Sequence, residues 1–151
     1  MLLQFSTREA FATGAVLYAY IPASEREETP RITIDIRIGD LQTSAFVDTG
    51  GIYLICPPEI ASALNFDPDD ALQSKQVLLR GEIVRGALYR VPLTILASEG
   101  ETITIEATAF VPNAATTLSN FPCILGMYLC LERLRFAVDP LNEVFYFGEA
   151  A

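Results

Sequence analysis

Residues 31–50 read RITIDIRIGDLQTSAFVDTG. From Arg31 to Ile38 isoleucine alternates with polar residues without a break, the period-two signature of a strand with one buried face. Gly39-Asp40 supplies a turn into a second strand that ends at Asp48, so the stretch predicts a hairpin. The return strand stops on Asp48-Thr49-Gly50. A carboxylate followed by a small hydroxyl residue and a glycine, at the end of a half-buried strand, puts an ionisable group on a sharp turn whose backbone can hydrogen-bond it. Asp, Thr and Gly are also ordinary turn residues, so the triplet alone names Asp48 only as a candidate catalytic acid.

A second element lies near the C-terminus: Pro122-Cys123-Ile124-Leu125-Gly126-Met127-Tyr128-Leu129, followed by Arg135 to Pro140 and Glu143 to Phe147. Together the two elements resemble the retropepsin-like aspartic protease family, over about Arg31 to Gly148. In that family a strand ends in Asp-Thr-Gly, a flap hairpin follows, and a hydrophobic-hydrophobic-Gly segment leads into a helix and closing strands. The resemblance implies a mainly β, single-lobe acid-protease closed β fold with one or two short helices. It assigns 31–151 to the protease domain and leaves 1–30 as an N-terminal extension strand and charged loop of the same domain. It implies that Thr49, Gly50 and Gly51 complete the active-site turn, and that Ile124, Leu125 and Gly126 support that turn from behind. The substrate-covering flap falls on Arg80, Gly81, Glu82, Ile83, Val84, Arg85 and Gly86, near the hairpin tip. The sequence departs from the family pattern at Gly51, where Ala or Ser is more usual.

Composition narrows the chemistry. The 151 residues, 51% of them hydrophobic, are enough for one domain with a sizeable core. No apolar run is long enough to span a membrane, and Arg8 and Glu9 are not followed by a signal-peptide pattern, so a soluble, unprocessed chain is expected. A net charge of -9 argues against nucleic acid or an anionic membrane as partner, since either would repel such a surface. Cys56, Cys123 and Cys130 predict buried free thiols in a reducing compartment, hence a cytoplasmic location. Histidine is absent, which removes Ser-His-Asp and Cys-His catalysis and His-rich zinc sites together. The cysteine spacing is not that of a zinc motif and no phosphate-cradling loop occurs, so neither metal nor cofactor is expected.

Along the rest of the chain, Ala15 to Ile21 reads as a strand closing on Pro22, and Ser24 to Pro30 as a charged loop. Ile52 to Ile55 continues extended. Pro57-Pro58-Glu59 then opens a helix through Leu64, with proline in the first turn, an acid near the positive helix end and Asn65 as its stop. Asp67 to Asp70 reads as a helical turn or a loop. Gln76 to Ile95 is strand-like but carries Gly81 and Gly86, which mark a bend, a bulge or a tip. An ordinary surface hairpin is the other reading of the same pattern. Thr102 to Val111 alternates again and is expected antiparallel to the preceding strand, with Asn113 to Asn120 a polar loop. Met127 to Leu134 has helical spacing, and Asp139-Pro140-Leu141-Asn142 turns a final hairpin.

Hydrolysis by an aspartic dyad needs two carboxyl groups sharing one proton. The chain contains one Asp-Thr-Gly and no Asp-Ser-Gly, and is too short for two lobes. The second carboxylate must then come from another copy, so an endopeptidase homodimer acting on peptide or protein is expected. A catalytically silent dimerisation or peptide-binding module on the same fold is the alternative. A binder of basic peptides, suggested by the charge alone, is a third reading.

Overall fold

The computed structural model describes residues 2–22, 31–79, 81–113 and 122–150. The expected loop Ser24 to Pro30, the flap residue Arg80 and nearly all of the loop Asn113 to Asn120 lie outside the described residues. The strands run in chain order as β1 (Leu3–Gln4), β2 (Ala10–Ala12), β3 (Gly14–Leu17), β4 (Ala19–Ile21), β5 (Arg31–Ile38), β6 (Leu41–Val47) and β7 (Leu54–Ile55). Helix α1 (Pro58–Leu64) follows. The chain continues through β8 (Gln73–Leu79), β9 (Glu82–Ile95), β10 (Glu99–Gly100), β11 (Ile103–Pro112), β12 (Cys123–Leu125), β13 (Leu134–Asp139) and β14 (Val144–Glu149).

The β5–β6 hairpin forms over the expected residues, with Thr33 opposite Phe46 and Ile38 opposite Leu41. Ile34, Ile36 and Ile38 are buried while Asp35 between them is exposed, as the alternation requires. Toward Asp48 the alternation stops: Ala45 and Phe46 are both buried, because they enter two different hydrophobic clusters. The same division recurs in the neighbouring strands. Leu54 and Leu125 belong to the larger cluster, Ile55 and Ile124 to the smaller. Strands buried on both faces sit at the centre of the eight-stranded sheet, whose order is β4-β5-β6-β12-β7-β11-β9-β8.

Helix α1 has Pro58 in its first turn and ends at Asn65, whose left-handed backbone (φ 53°) lets its N–H reach the Ala61 and Ser62 carbonyls. Pro68–Asp70 is a single 3-10 turn capped by the Asp67 side chain. Strand β11 runs antiparallel to β9 over its full length, Ile103 opposite Ile95 and Pro112 opposite Gly86.

Two expectations are corrected. Ala15 to Ile21 is not one strand: it breaks at Tyr18, whose N–H donates to the Glu143 carbonyl, leaving β3 on β14 and β4 on β5 in different sheets. Met127 to Leu134 is not a helix beyond the 3-10 turn Leu131–Arg133. Its backbone is drawn instead into bonds with distant segments, Met127 N–H to the Gly51 carbonyl and Thr108 N–H to the Leu129 carbonyl. Leu129 adopts φ 58°, which a helix cannot continue.

The three cysteines are free and fully buried, as expected. The thiol of Cys56 is pushed up by its hydrogen bond with Cys123 and by burial. Burial pushes Cys130 up to about 12, against the lowering effect of Arg133.

Candidate active site

Asp48 sits where β6 leaves the sheet, held by its backbone as much as by its side chain. Its N–H donates to the Leu125 carbonyl at 2.9 Å, and its carbonyl accepts from the Gly51 N–H at 3.1 Å. The carboxylate Oδ1 accepts from the Gly50 N–H at 3.1 Å, closing the turn that the triplet predicts. Thr49 and Gly50 are exposed, and the Asp48 side chain is 31% exposed, so the acid faces solvent from a fixed base. A Cβ on Gly51 would approach Asp48 Oδ2 to 3.2 Å; the glycine found there leaves the carboxylate more room than Ala or Ser would.

The support comes from Ile124-Leu125-Gly126. Strand β12 inserts between β6 and β7, parallel to the first (Leu125 beside Val47) and antiparallel to the second (Leu125 beside Leu54). Gly126 N–H then donates to the Tyr53 carbonyl at 2.8 Å and Met127 N–H to the Gly51 carbonyl at 2.8 Å. A Cβ on Gly126 would come within 2.6 Å of the Ile52 backbone, so only glycine permits this approach. The expected support residues and the Asp48 turn are therefore in direct contact.

In front of Asp48 lies a cavity of about 430 Å³. Gly50, Gly51 and Asp48 line one side, Ile52, Ile55 and Ile124 give it apolar walls, and Leu78 and Leu79 come from the β8–β9 hairpin. The lining also includes Arg31, whose Nη1 is 4.0 Å from Asp48 Oδ1. With both groups a quarter to a third exposed, this ion pair contributes of order 1 kcal/mol or less.

The flap residues divide. The hairpin turns between Leu79 and Glu82, which face each other, with Gly81 exposed at φ 80°. Ile83 is exposed opposite Leu78, Val84 is buried opposite Val77, and Arg85 is exposed opposite Gln76. Gly86 is not near the tip. It lies inside β9 between Lys75 and Pro112, and a Cβ there would collide with the Val111 carbonyl and approach the Phe110 ring to 2.7 Å. Its glycine answers to close packing, not to a hinge.

Sequence reasoning missed Arg31, Ile52, Ile55, Leu78 and Leu79 as cavity residues. Arg31 reads only as the first residue of a strand, and the leucines lie on the hairpin arm ahead of the glycines. Among the described residues no group of three His, Cys, Asp or Glu side chains is placed to hold a metal, and no helix is long and apolar enough to cross a membrane.

No protein-family model and no curated protein sequence matches this chain. Solved structures do. A retropepsin-like aspartic protease from Rickettsia conorii superposes with a TM-score of 0.54 at 18% identity, over 88% of this chain and 92% of that one. The retroviral protease-like domain of Ddi1 from Leishmania major gives 0.48 at 14% identity, over 80% and 94%. Basic 7S globulin from soybean gives 0.51 at 12% identity, and the match, over 91% of this chain, spans about half of the soybean protein (51%). At these identities the likeness is one of fold: the chain has the mainly β, single-lobe fold of the retropepsin-like aspartic proteases.

Proposed function

We propose that the protein is an aspartic endopeptidase that works as a homodimer, with one Asp48 from each copy. The observation that carries this reading is the setting of Asp48: a partly exposed carboxylate on a turn pinned from behind by β12, opening on an apolar cavity beside a hairpin. Two such carboxyls facing one another hold one proton between them. The ionised one takes a proton from a water that attacks the peptide carbonyl, while the protonated one donates to the carbonyl oxygen. Thr49 braces the two turns across the axis, and Gly50 allows the close approach. An extended peptide lies between the dyad and the β8–β9 hairpin, its alternate side chains entering the pocket walled by Ile52, Ile55 and Ile124.

Incubation of the purified protein with a peptide library from acid to neutral pH tests the reading. Asp48→Asn is expected to lower hydrolysis by at least about a hundredfold with the fold intact. Peptidase activity retained by Asp48→Asn would overturn the mechanism.

A further inference from the structure

Arg31 opens β5 at the end of its ladder with β4, opposite Ile21. The antiparallel β5–β6 pairing brings it to the end of β6, and there it lines the cavity in front of Asp48, with Nη1 4.0 Å from Oδ1. It is the one cationic side chain among the described lining residues; apart from Asp48, the others are glycine or aliphatic. A charge set among aliphatic walls acts on a neighbouring charge more strongly than one in open water, because less solvent screens it. At 4.0 Å the Asp48 contact is an ion pair and not a hydrogen bond. A guanidinium carries five N–H donors in a planar fork, so it can keep its other contacts within the chain and still offer an edge to a carboxylate.

The working form of the site adds a charge count. Two Asp48 carboxyls holding one proton carry a single negative charge, while two copies bring two Arg31 side chains, each 4.0 Å from its own Asp48. Among the described lining residues the completed site is then one positive charge in excess. An apolar peptide leaves that excess uncompensated, whereas a peptide with one carboxylate beside the scissile bond neutralises it. The net charge of -9 opposes acidic peptides, but only at longer range, since exposed charges more than about 8 Å apart are largely screened at physiological salt. The site therefore selects one acid in an otherwise neutral peptide and not an acidic tract.

We infer that Arg31 is a specificity-determining residue, selecting substrates with a glutamate near the scissile bond by pairing its guanidinium with the glutamate carboxylate inside the Asp48 cavity. This rests on the peptidase reading. The stem of the glutamate lies against the aliphatic wall while its carboxylate meets Arg31. Because Arg31 stands 4.0 Å from the catalytic carboxylate and an extended chain rises about 3.3 Å per residue, the preference is confined to positions within about two residues of the bond.

The test uses short neutral peptides with a central Leu-Phe bond and one variable residue, Glu, Gln or Lys, close to that bond. They are assayed above about pH 5, where a peptide glutamate is ionised. The wild-type full chain is expected to favour the best Glu peptide over its Gln twin by at least about tenfold in kcat/KM, as a charge-assisted hydrogen bond does. Arg31→Gln is expected to bring that ratio within about twofold of unity, Arg31→Glu to turn the preference toward Lys, and Arg31→Lys to keep part of it. Arg37→Gln, toward the other end of the same strand and outside the described lining, is expected to leave the ratio unchanged. Each ratio is taken within one preparation, so a loss of folded or assembled protein cancels, and circular dichroism checks the fold. A wild-type ratio near one, or a ratio that survives Arg31→Gln, would overturn the inference, while Asp48-dependent cleavage in the same assay upholds the peptidase reading. The same peptides with a reduced, uncleavable central bond are titrated by calorimetry. Glu-selective binding that is lost in Arg31→Gln, with no peptide cleaved, retires the peptidase reading and leaves Arg31 as the selector of a peptide-binding site. Neither binding nor cleavage of any Glu peptide would overturn both.

Discussion

Gly126 touches the backbone of Ile52 so closely that a single methyl group on it would come within 2.6 Å of the Ile52 nitrogen and carbonyl carbon. The contact ties the strand behind the active-site turn to the turn itself, with Asp48 and Leu125 bonded at 2.9 Å a few residues away. Gly126→Ala is therefore expected to destabilise the fold by about 1–3 kcal/mol, as overpacking of a close contact does. It should also displace the Asp48 turn and lower hydrolysis with it. Urea denaturation alongside a peptidase assay measures both, and unchanged stability would show that the contact relaxes freely.

The two hairpin glycines are expected to respond differently. Gly81 has φ 80° with nothing within 4 Å of an added Cβ, so Gly81→Ala costs only backbone strain, about 1–2 kcal/mol. Gly86→Val instead drives a side chain into the Val111 carbonyl and the Phe110 ring and should disrupt the β9–β11 pairing. Thermal melts distinguish them: a large fall for Gly86→Val and a small one for Gly81→Ala. Amide exchange with and without a transition-state mimic then tests the hairpin as a lid, with protection rising at the Gly81 turn and at Asp48 together.

Asp139 links the final hairpin to pH. Its carboxylate accepts from the Asn142 side chain at 2.7 Å and from the Leu141 and Asn142 N–H groups, which holds it below the usual carboxylate range. A group depressed in the folded state stabilises the fold above its unfolded pKa of about 3.9, and that contribution is lost as pH falls through the folded value. Asp139→Ala is expected to be the less stable protein near neutral pH. The difference should shrink as pH falls from about 5 to about 2. A gap between the two melting temperatures that stays constant over that range would contradict the assignment.

The buried thiols should be inert. With Cys130 pushed up to about 12 and Cys56 also raised, thiolate is scarce at pH 8, and no cysteine is exposed. Ellman's reagent is expected to label none of the three in the folded protein and all three in guanidinium. Rapid labelling of the native state would place at least one thiol nearer the surface.

The local features were legible in the chain because short-range physics governs them. Alternating isoleucines make β5, proline and asparagine bound α1, and Asp48-Thr49-Gly50 closes its own turn through the Gly50 N–H. The contact of Ile124-Leu125-Gly126 with that turn also followed from the family resemblance. Features set by segments far apart in sequence were not legible. Met127 to Leu129 gave up a helix for bonds to Gly51, Tyr53 and Thr108, and Gly86 is glycine because β11 passes against it. Arg31 became a neighbour of Asp48 because strand pairing sets Thr33 opposite Phe46, which brings the start of β5 to the end of β6. Leu78 and Leu79 entered the cavity because the hairpin turns one residue beyond them, a register that the glycine spacing does not specify. Propensity and alternation act within a few residues, whereas backbone hydrogen bonds and close packing are satisfied only once distant strands have met, and the tertiary structure decided those alone.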